Sequence, residues 1–290
     1  MELAAPITIY WDLGPEQGLV EKICSDIISC RPLMLQLFSP AVEPGCPALA
    51  VLNSFKDSPI AISLTVPAAA LSFPAATLLE NYKLKELLIS CDTLEGAAAG
   101  WSSVSNYSGA AKGISFQVTR ENRHELPSLL GFCRQQGIQR VVLPMQRLYN
   151  QESPFFLSRQ EQQHLSGLLA AAGGTEGLNL TIHDPFIWRA FYPAIPFPQA
   201  GCQAANTMLA VDPRGTVYPC PTLPVPLGSL TAASLKEIMV SGIKKDFRRK
   251  LLENPAQCLA CVEIKECRGG CRGRAYVLNG TLDGLDVACR

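Results

Sequence analysis

Seven of the chain's twelve cysteines lie between residue 202 and the end of its 290 residues, and no other feature restricts the fold so tightly. In a reducing compartment, clustered thiols are metal or iron–sulfur ligands rather than disulfides, which puts the chemistry at the C-terminal end. The opening residues MELAAPITIYWDLGPEQ have neither a basic n-region nor a long apolar h-region, so a cytoplasmic protein is expected.

Upstream of that array, short apolar runs alternate with amphipathic stretches, the pattern of a parallel sheet with crossover helices. Strands are predicted at 7–11, 33–38, 60–66, 86–91, 113–119 and 140–145, with a seventh at 178–183. Their nearly continuous apolar character suits strands covered on both faces. Between the fifth and sixth, Asn122 is the expected cap of a helix with the stripe Leu126, Leu129, Leu130 and Cys133, ended by Gly137. Ser158 and Glu161 form a capping-box pattern, followed by Leu165, Leu168, Leu169 and Ala172 on one side. At 100 to 200 residues per domain, roughly two domains are expected, divided at 1–198 and 199–290.

The composition excludes several functions. Lys plus Arg and Asp plus Glu are each 25, so there is no bulk attraction to nucleic acid, and 48% hydrophobic residues exclude a disordered chain. Residues 58–79 carry no charge, but Pro59, Pro67 and Pro74 divide them into a strand, a loop and a helix start, so no membrane span is expected. No Gly-rich phosphate loop follows any strand. His124 and His164 fall on exposed helix faces. His183 with Asp184, after the seventh predicted strand, and Trp11 with Asp12, after the first, have either structural or rim-site roles. Cys24, Cys30, Cys46, Cys91 and Cys133 match no ligand spacing and read as core.

The C-terminal array reads Cys202, then Gly215-Thr-Val-Tyr-Pro-Cys220, then Cys258-x2-Cys261-x5-Cys267-x3-Cys271, and finally Cys289. Thiolates hold iron in cubane clusters, and a Cys-x-x-Cys loop converges two sulfurs on one centre with backbone amides turned toward them. Gly269, Gly270 and Gly273 permit the tight turns that such crowding needs. With Pro226 to Leu230, Ser234 to Ile238 and Cys267-Arg-Gly-Gly-Cys271-Arg, the segment resembles the SPASM domain, the auxiliary-cluster module of radical S-adenosylmethionine (SAM) enzymes that mature peptides. The resemblance implies two [4Fe-4S] clusters, one on Cys202, Cys220 and Cys271, the other on Cys258, Cys261, Cys267 and Cys289. An eighth cysteine, common upstream of the first, is lacking in Pro196 to Gly201. A zinc site at the CX2C and CX3C cysteines is the economical alternative.

The N-terminal half resembles the radical-SAM partial (βα)6 barrel, so the expected fold is α/β, a degenerate barrel followed by a small cysteine-rich SPASM domain. Radical-SAM enzymes carry CX3CX2C after the first strand. Here that stretch is Ile9 to Glu16, and Ser39-Pro-Ala41 stands where a Gly-Gly-Glu segment contacts SAM. The resemblance is closest to the SPASM component of GeoRSP-type maturation systems. It implies no SAM binding, and as partners a radical-SAM/SPASM enzyme, a PqqD-like peptide-binding protein and a peptide substrate, in electron transfer or substrate positioning. A metal-stabilised structural scaffold is the alternative function, and an enzyme using an open iron as Lewis acid a third. Residues 236–274 hold ten Lys or Arg against five Asp or Glu, either to offset thiolate charge or to dock an acidic partner.

Overall fold

The computed structural model describes residues 5–14, 18–149, 153–198 and 201–289. The β-branched runs form β1 (Thr8–Asp12), β2 (Met34–Phe38), β3 (Ala61–Pro67), β4 (Glu86–Cys91), β5 (Ala111–Phe116), β6 (Arg140–Leu143) and β7 (Asn179–Ile182). Each pairs in parallel with its predecessor. The intervening stretches form α1 (Val20–Cys30), α2 (Pro47–Ser54), α3 (Phe73–Leu79), α4 (Leu94–Ser103), α5 (Leu126–Gln135), α6 (Arg159–Ala171) and α7 (Pro185–Phe191).

Three short strands that periodicity did not reveal extend the sheet: β8 (Met208–Val211), β9 (Thr216–Tyr218) and β10 (Gly228–Ser229). β8 pairs in parallel with the free side of β1, Thr8 opposite Met208 and Trp11 opposite Val211. β9 and β10 continue antiparallel, so the ten-stranded order is β10-β9-β8-β1-β2-β3-β4-β5-β6-β7. The order is linear, so the barrel stays partial, yet residues from β1 to β7 line one cavity of about 850 Å³, the lumen around which the sheet curves. The chain ends with α8 (Leu235–Val240), α9 (Gly242–Leu252), α10 (Ile264–Cys267) and α11 (Arg272–Asn279).

Local chemistry explains most boundaries. Pro67 ends β3, and Ser72 caps α3 by accepting from the Ala75 amide, which breaks the uncharged run into a strand, a 3-10 turn and a short helix. No helix of the described residues is long and apolar enough to cross a membrane. The α6 capping box is complete, with Ser158 Oγ accepting from Glu161 N at 3.3 Å and Glu161 Oε2 from Ser158 N at 2.8 Å. Its stripe is narrower than expected, because Leu165 and Leu169 are buried while Leu168 is 39% exposed.

Asn122 departs from its expected role. Its side chain caps no helix; it accepts from Thr119 N and donates to the Asp92 and Gln117 carbonyls, stapling two loops. The stripe Leu126, Leu129, Leu130 and Cys133 is buried as expected, on an α5 that starts after a 3-10 turn. Cys24, Cys30, Cys46, Cys91 and Cys133 all belong to the main core.

Candidate cluster site

The seven C-terminal cysteines come together by identifiable turns. Gly215, in the left-handed region at φ +80°, makes the β8–β9 turn, with buried Asp212 accepting from the Arg214 and Thr216 amides. That hairpin returns Cys220 toward Cys202. Arg268, Gly269 and Gly270 follow Cys267 with φ of +51°, +93° and +66°, and this left-handed run reverses the chain so that Cys271 caps α11. Gly273 works differently: it has helical backbone, and a Cβ there would lie 2.2 Å from the Thr222 carbonyl oxygen. It is needed for close approach rather than for a turn.

Two thiol groups result. Thr222 Oγ1 lies 3.2 Å from Cys220 Sγ and 3.9 Å from Cys271 Sγ, bridging two members of the first. Burial raises the Cys220 thiol pKa, and the neighbouring Cys202 and Cys271 raise it further. Burial likewise raises Cys202, against the Ala204 amide and the Arg248 and Arg272 guanidinium groups. In the second group, burial raises Cys258, with Cys289 and Cys261 adding to it, and burial raises Cys289, with Cys261 adding. Burial pushes Cys267 up to about 11, opposed by the Gly269 and Gly270 amides that face its sulfur and reinforced by Cys289. Cys220 thus lies near both Cys202 and Cys271, and Cys289 lies near Cys258, Cys261 and Cys267.

Side chains that sequence reasoning passed over bind these groups to the fold. Arg274, 3% exposed, reaches Asp286 through Nε at 2.7 Å and Nη2 at 2.9 Å, and also pairs with Asp184. Asp286 accepts from the Cys271 amide at 2.7 Å. Asp184 meanwhile caps α7 by accepting from Phe186 and Ile187. The rim residue Asp184 is therefore structural, joining barrel to cysteine region. Asp12 is also structural, gripped by Arg147 Nε at 2.8 and 2.6 Å, and Trp11 is buried core. His124 and His164 are exposed. Ser39, after β2, is buried and donates to the Ala41 carbonyl.

The cationic excess divides cleanly. Lys244, Arg248, Arg272 and Arg274 are buried, leaving six exposed cations against the five carboxylates of the stretch. Arg248 donates to the Cys202 and Ala204 carbonyls at 2.6 and 3.1 Å. Arg272 donates to the Glu253 and Leu282 carbonyls and lies in range of both Cys202 and Cys258, between the groups. Of the buried cations Arg248 and Arg272 lie near the thiols, which favours offsetting thiolate charge over a basic docking patch.

A cavity of about 350 Å³ lies between the C-terminal ends of β5, β6 and β7 and the start of β8. Cys202, Cys220, Cys267 and Cys271 line it with Met145, His183 and Trp188, and none of the five upstream cysteines does. Clustered thiols, Cys220 and Cys258 buried and the other five half-buried, with amide and cationic support suit a soft thiolate-held metal group. Among the described residues no three Cys, His, Asp or Glu side chains stand close enough to share one metal ion. A tetrahedral zinc would bring sulfurs to about 3.8 Å of one another.

Residues 202–262 match the family model of SPASM, an iron–sulfur cluster-binding domain. Solved structures share the fold over the whole chain. The Streptococcus suis protein SuiB bound to S-adenosylmethionine is 15% identical, with a TM-score of 0.72 over 100% of this chain and 78% of that one. SuiB bound to its precursor peptide SuiA is 15% identical, with a TM-score of 0.72 over 100% of this chain and 77% of that one. anSMEcpe with bound AdoMet is 14% identical, with a TM-score of 0.66 over 98% and 91%. The α/β fold expected from the sequence, a barrel of radical-SAM type with a SPASM region after it, is the fold observed.

Proposed function

We propose that the chain is an accessory iron–sulfur protein with two auxiliary [4Fe-4S] clusters that assists a radical-SAM partner in modifying a peptide. The observation that carries this is the match of residues 202–262 to the SPASM iron–sulfur cluster-binding domain, supported by the proximity of Cys220 to Cys202 and Cys271, of Cys258 to Cys261 and Cys289, and of Arg272 to Cys202 and Cys258. Cys202, Cys220 and Cys271 would hold the first cluster, and Cys258, Cys261, Cys267 and Cys289 the second. The clusters would supply one-electron chemistry. The chain's own residues fix the sulfurs, exclude water and balance their charge. Only three thiolates serve the first cluster, so one of its irons would face the 350 Å³ cavity. In Pro196 to Gly201, Gln199 and Ala200 lie outside the described residues.

The match to the SPASM model supports cluster binding, and SuiB's structure with a precursor peptide supports a peptide as the substrate of the system. The accessory role is inferred from Ile9 to Glu16, the segment corresponding to the cluster motif, which contains no cysteine; residues 15 and 16 of it lie outside the described residues. In the same reading the barrel, 1–198, is the docking and substrate half, 199–290 is the redox half, the setting is cytoplasmic, and a PqqD-like protein presents the peptide.

Three experiments test this. Reduced with dithionite in the presence of SAM, the isolated chain is expected to release no 5′-deoxyadenosine above a protein-free control. Added in reduced form to a radical-SAM/SPASM partner, it should accelerate that partner's SAM cleavage. Release by the isolated chain, or no effect on the partner, would contradict the accessory role. Cys261→Ser should remove chiefly the second cluster, seen as loss of about half the bound iron. Equal loss from both clusters would contradict the two-group assignment.

A further inference from the structure

Thr222 lies in the turn after Cys220, and its position is fixed from several sides. The Pro221 carbonyl accepts from the Leu148 amide at 3.0 Å, the Leu223 amide donates to the Cys220 carbonyl at 3.3 Å, and Leu223 is fully buried. Across from the turn, α11 comes so near at Gly273 that an added Cβ would fall 2.2 Å from the Thr222 carbonyl oxygen and 2.9 Å from its hydroxyl oxygen. A β-branched side chain on a backbone held this way has little freedom about χ1. The rotamer it adopts aims Oγ1 at the thiols, 3.2 Å from Cys220 Sγ and 3.9 Å from Cys271 Sγ. Among the described residues this hydroxyl makes no hydrogen bond to anything but those two sulfurs, so it does not serve to hold the turn.

Metal binding fixes the direction of that bond. A thiol and a hydroxyl can each donate, but a thiolate has no proton to give. With Cys220 ionised, the hydroxyl proton must point at its sulfur, in a charge-assisted bond. Cys271 is the more distant acceptor. The contact also argues against the hydroxyl as an iron ligand, because ligands on neighbouring irons point away from one another, whereas this oxygen touches a sulfur. The second group is built differently: the Gly269 and Gly270 amides face Cys267, and among the described residues no side-chain hydroxyl bonds to Cys258, Cys261, Cys267 or Cys289. Hydrogen bonds to cluster sulfurs stabilise the more negative, reduced state, and so raise the potential.

We infer that the Thr222 hydroxyl is a built-in hydrogen-bond donor to the Cys220 thiolate that raises the reduction potential of the first cluster and leaves the second untouched. The inference rests on the clusters proposed above and adds a residue that acts through a ligand rather than as one.

The test is a redox titration of the full reconstituted chain, followed by electron paramagnetic resonance, on the wild type, Thr222→Val and Thr222→Ser. The first cluster's signal is the one that Cys261→Ser retains. Valine keeps the branched shape and removes the donor. At a fixed potential the ratio of reduced to oxidised first cluster should therefore fall about tenfold, a shift of about 59 mV for one electron. The second cluster should not move, and Thr222→Ser, which keeps the hydroxyl, should stay close to the wild type. Thr222→Ala gives the same reading should valine not fit. An unmoved first-cluster potential without the hydroxyl would overturn the inference, and so would an equal shift in Thr222→Ser, which would make the methyl group the cause. Cyanide binding that appears in Thr222→Val and is absent from the wild type would also overturn it, since the hydroxyl would then be an iron ligand. Iron content, measured on the same samples, keeps the two readings apart. Full iron with an unmoved potential removes the role of Thr222 alone, and a wild type without iron removes the clusters and this role with them.

Discussion

Arg274→Leu is expected to destabilise the chain by about 3–5 kcal/mol and to strip iron from the C-terminal region. The guanidinium is 3% exposed and lies between two carboxylates, Asp184 at the start of α7 and Asp286 beside the cysteines. Removing it leaves Asp286 buried and Asp184 half-buried without a counter-charge, and burial already raises the Asp286 pKa even with Arg274 present to oppose it. Asp286 also holds the Cys271 and Ala288 amides, so its displacement would disturb both thiol groups. Urea unfolding and iron analysis of the variant read the two effects. Wild-type stability with full iron content would show that the pair of ion contacts does not organise the site.

Gly273→Ala should cost the first cluster and spare the second. The added Cβ would meet the Thr222 carbonyl oxygen at 2.2 Å and its carbon at 2.6 Å, and backbone on both sides leaves no flexible atom to yield. Either α11 withdraws or the Cys220–Thr222 segment does, and both motions separate Cys220 from Cys271. Gly242, at the start of α9, is the matched control, because a Cβ added there would meet nothing within 4 Å, and Gly242→Ala should be neutral or slightly stabilising. A Gly273→Ala protein that keeps all its iron, or loses both clusters together, would contradict the assignment of Cys220 and Cys271 to one site.

Much of this arrangement is legible in the sequence wherever the signal is local. Runs such as Ile60 to Val66 announce strands, and Ser158 with Glu161 announces the start of α6. The strands β8 to β10 carry four, three and two residues, too few for periodicity, and they exist because β1 offers a free edge. Asn122 carries a cap residue's chemistry but uses it on loop carbonyls, a competition that spacing cannot resolve. The clamp at Arg274 joins residues 90 apart in sequence, so no local pattern marks it. One inward cation pair did leave a trace. Lys244, Phe247, Arg248 and Leu251 follow the i, i+3, i+4, i+7 spacing of a buried face, and two cations on such a face point to anionic or carbonyl partners inside.

Seven cysteines holding two clusters are the centre of the proposed function, and anaerobic reconstitution followed by iron, sulfide and zinc analysis tests that directly. About eight irons and about eight sulfides per chain are expected. One zinc per chain with fewer than about four irons would contradict it.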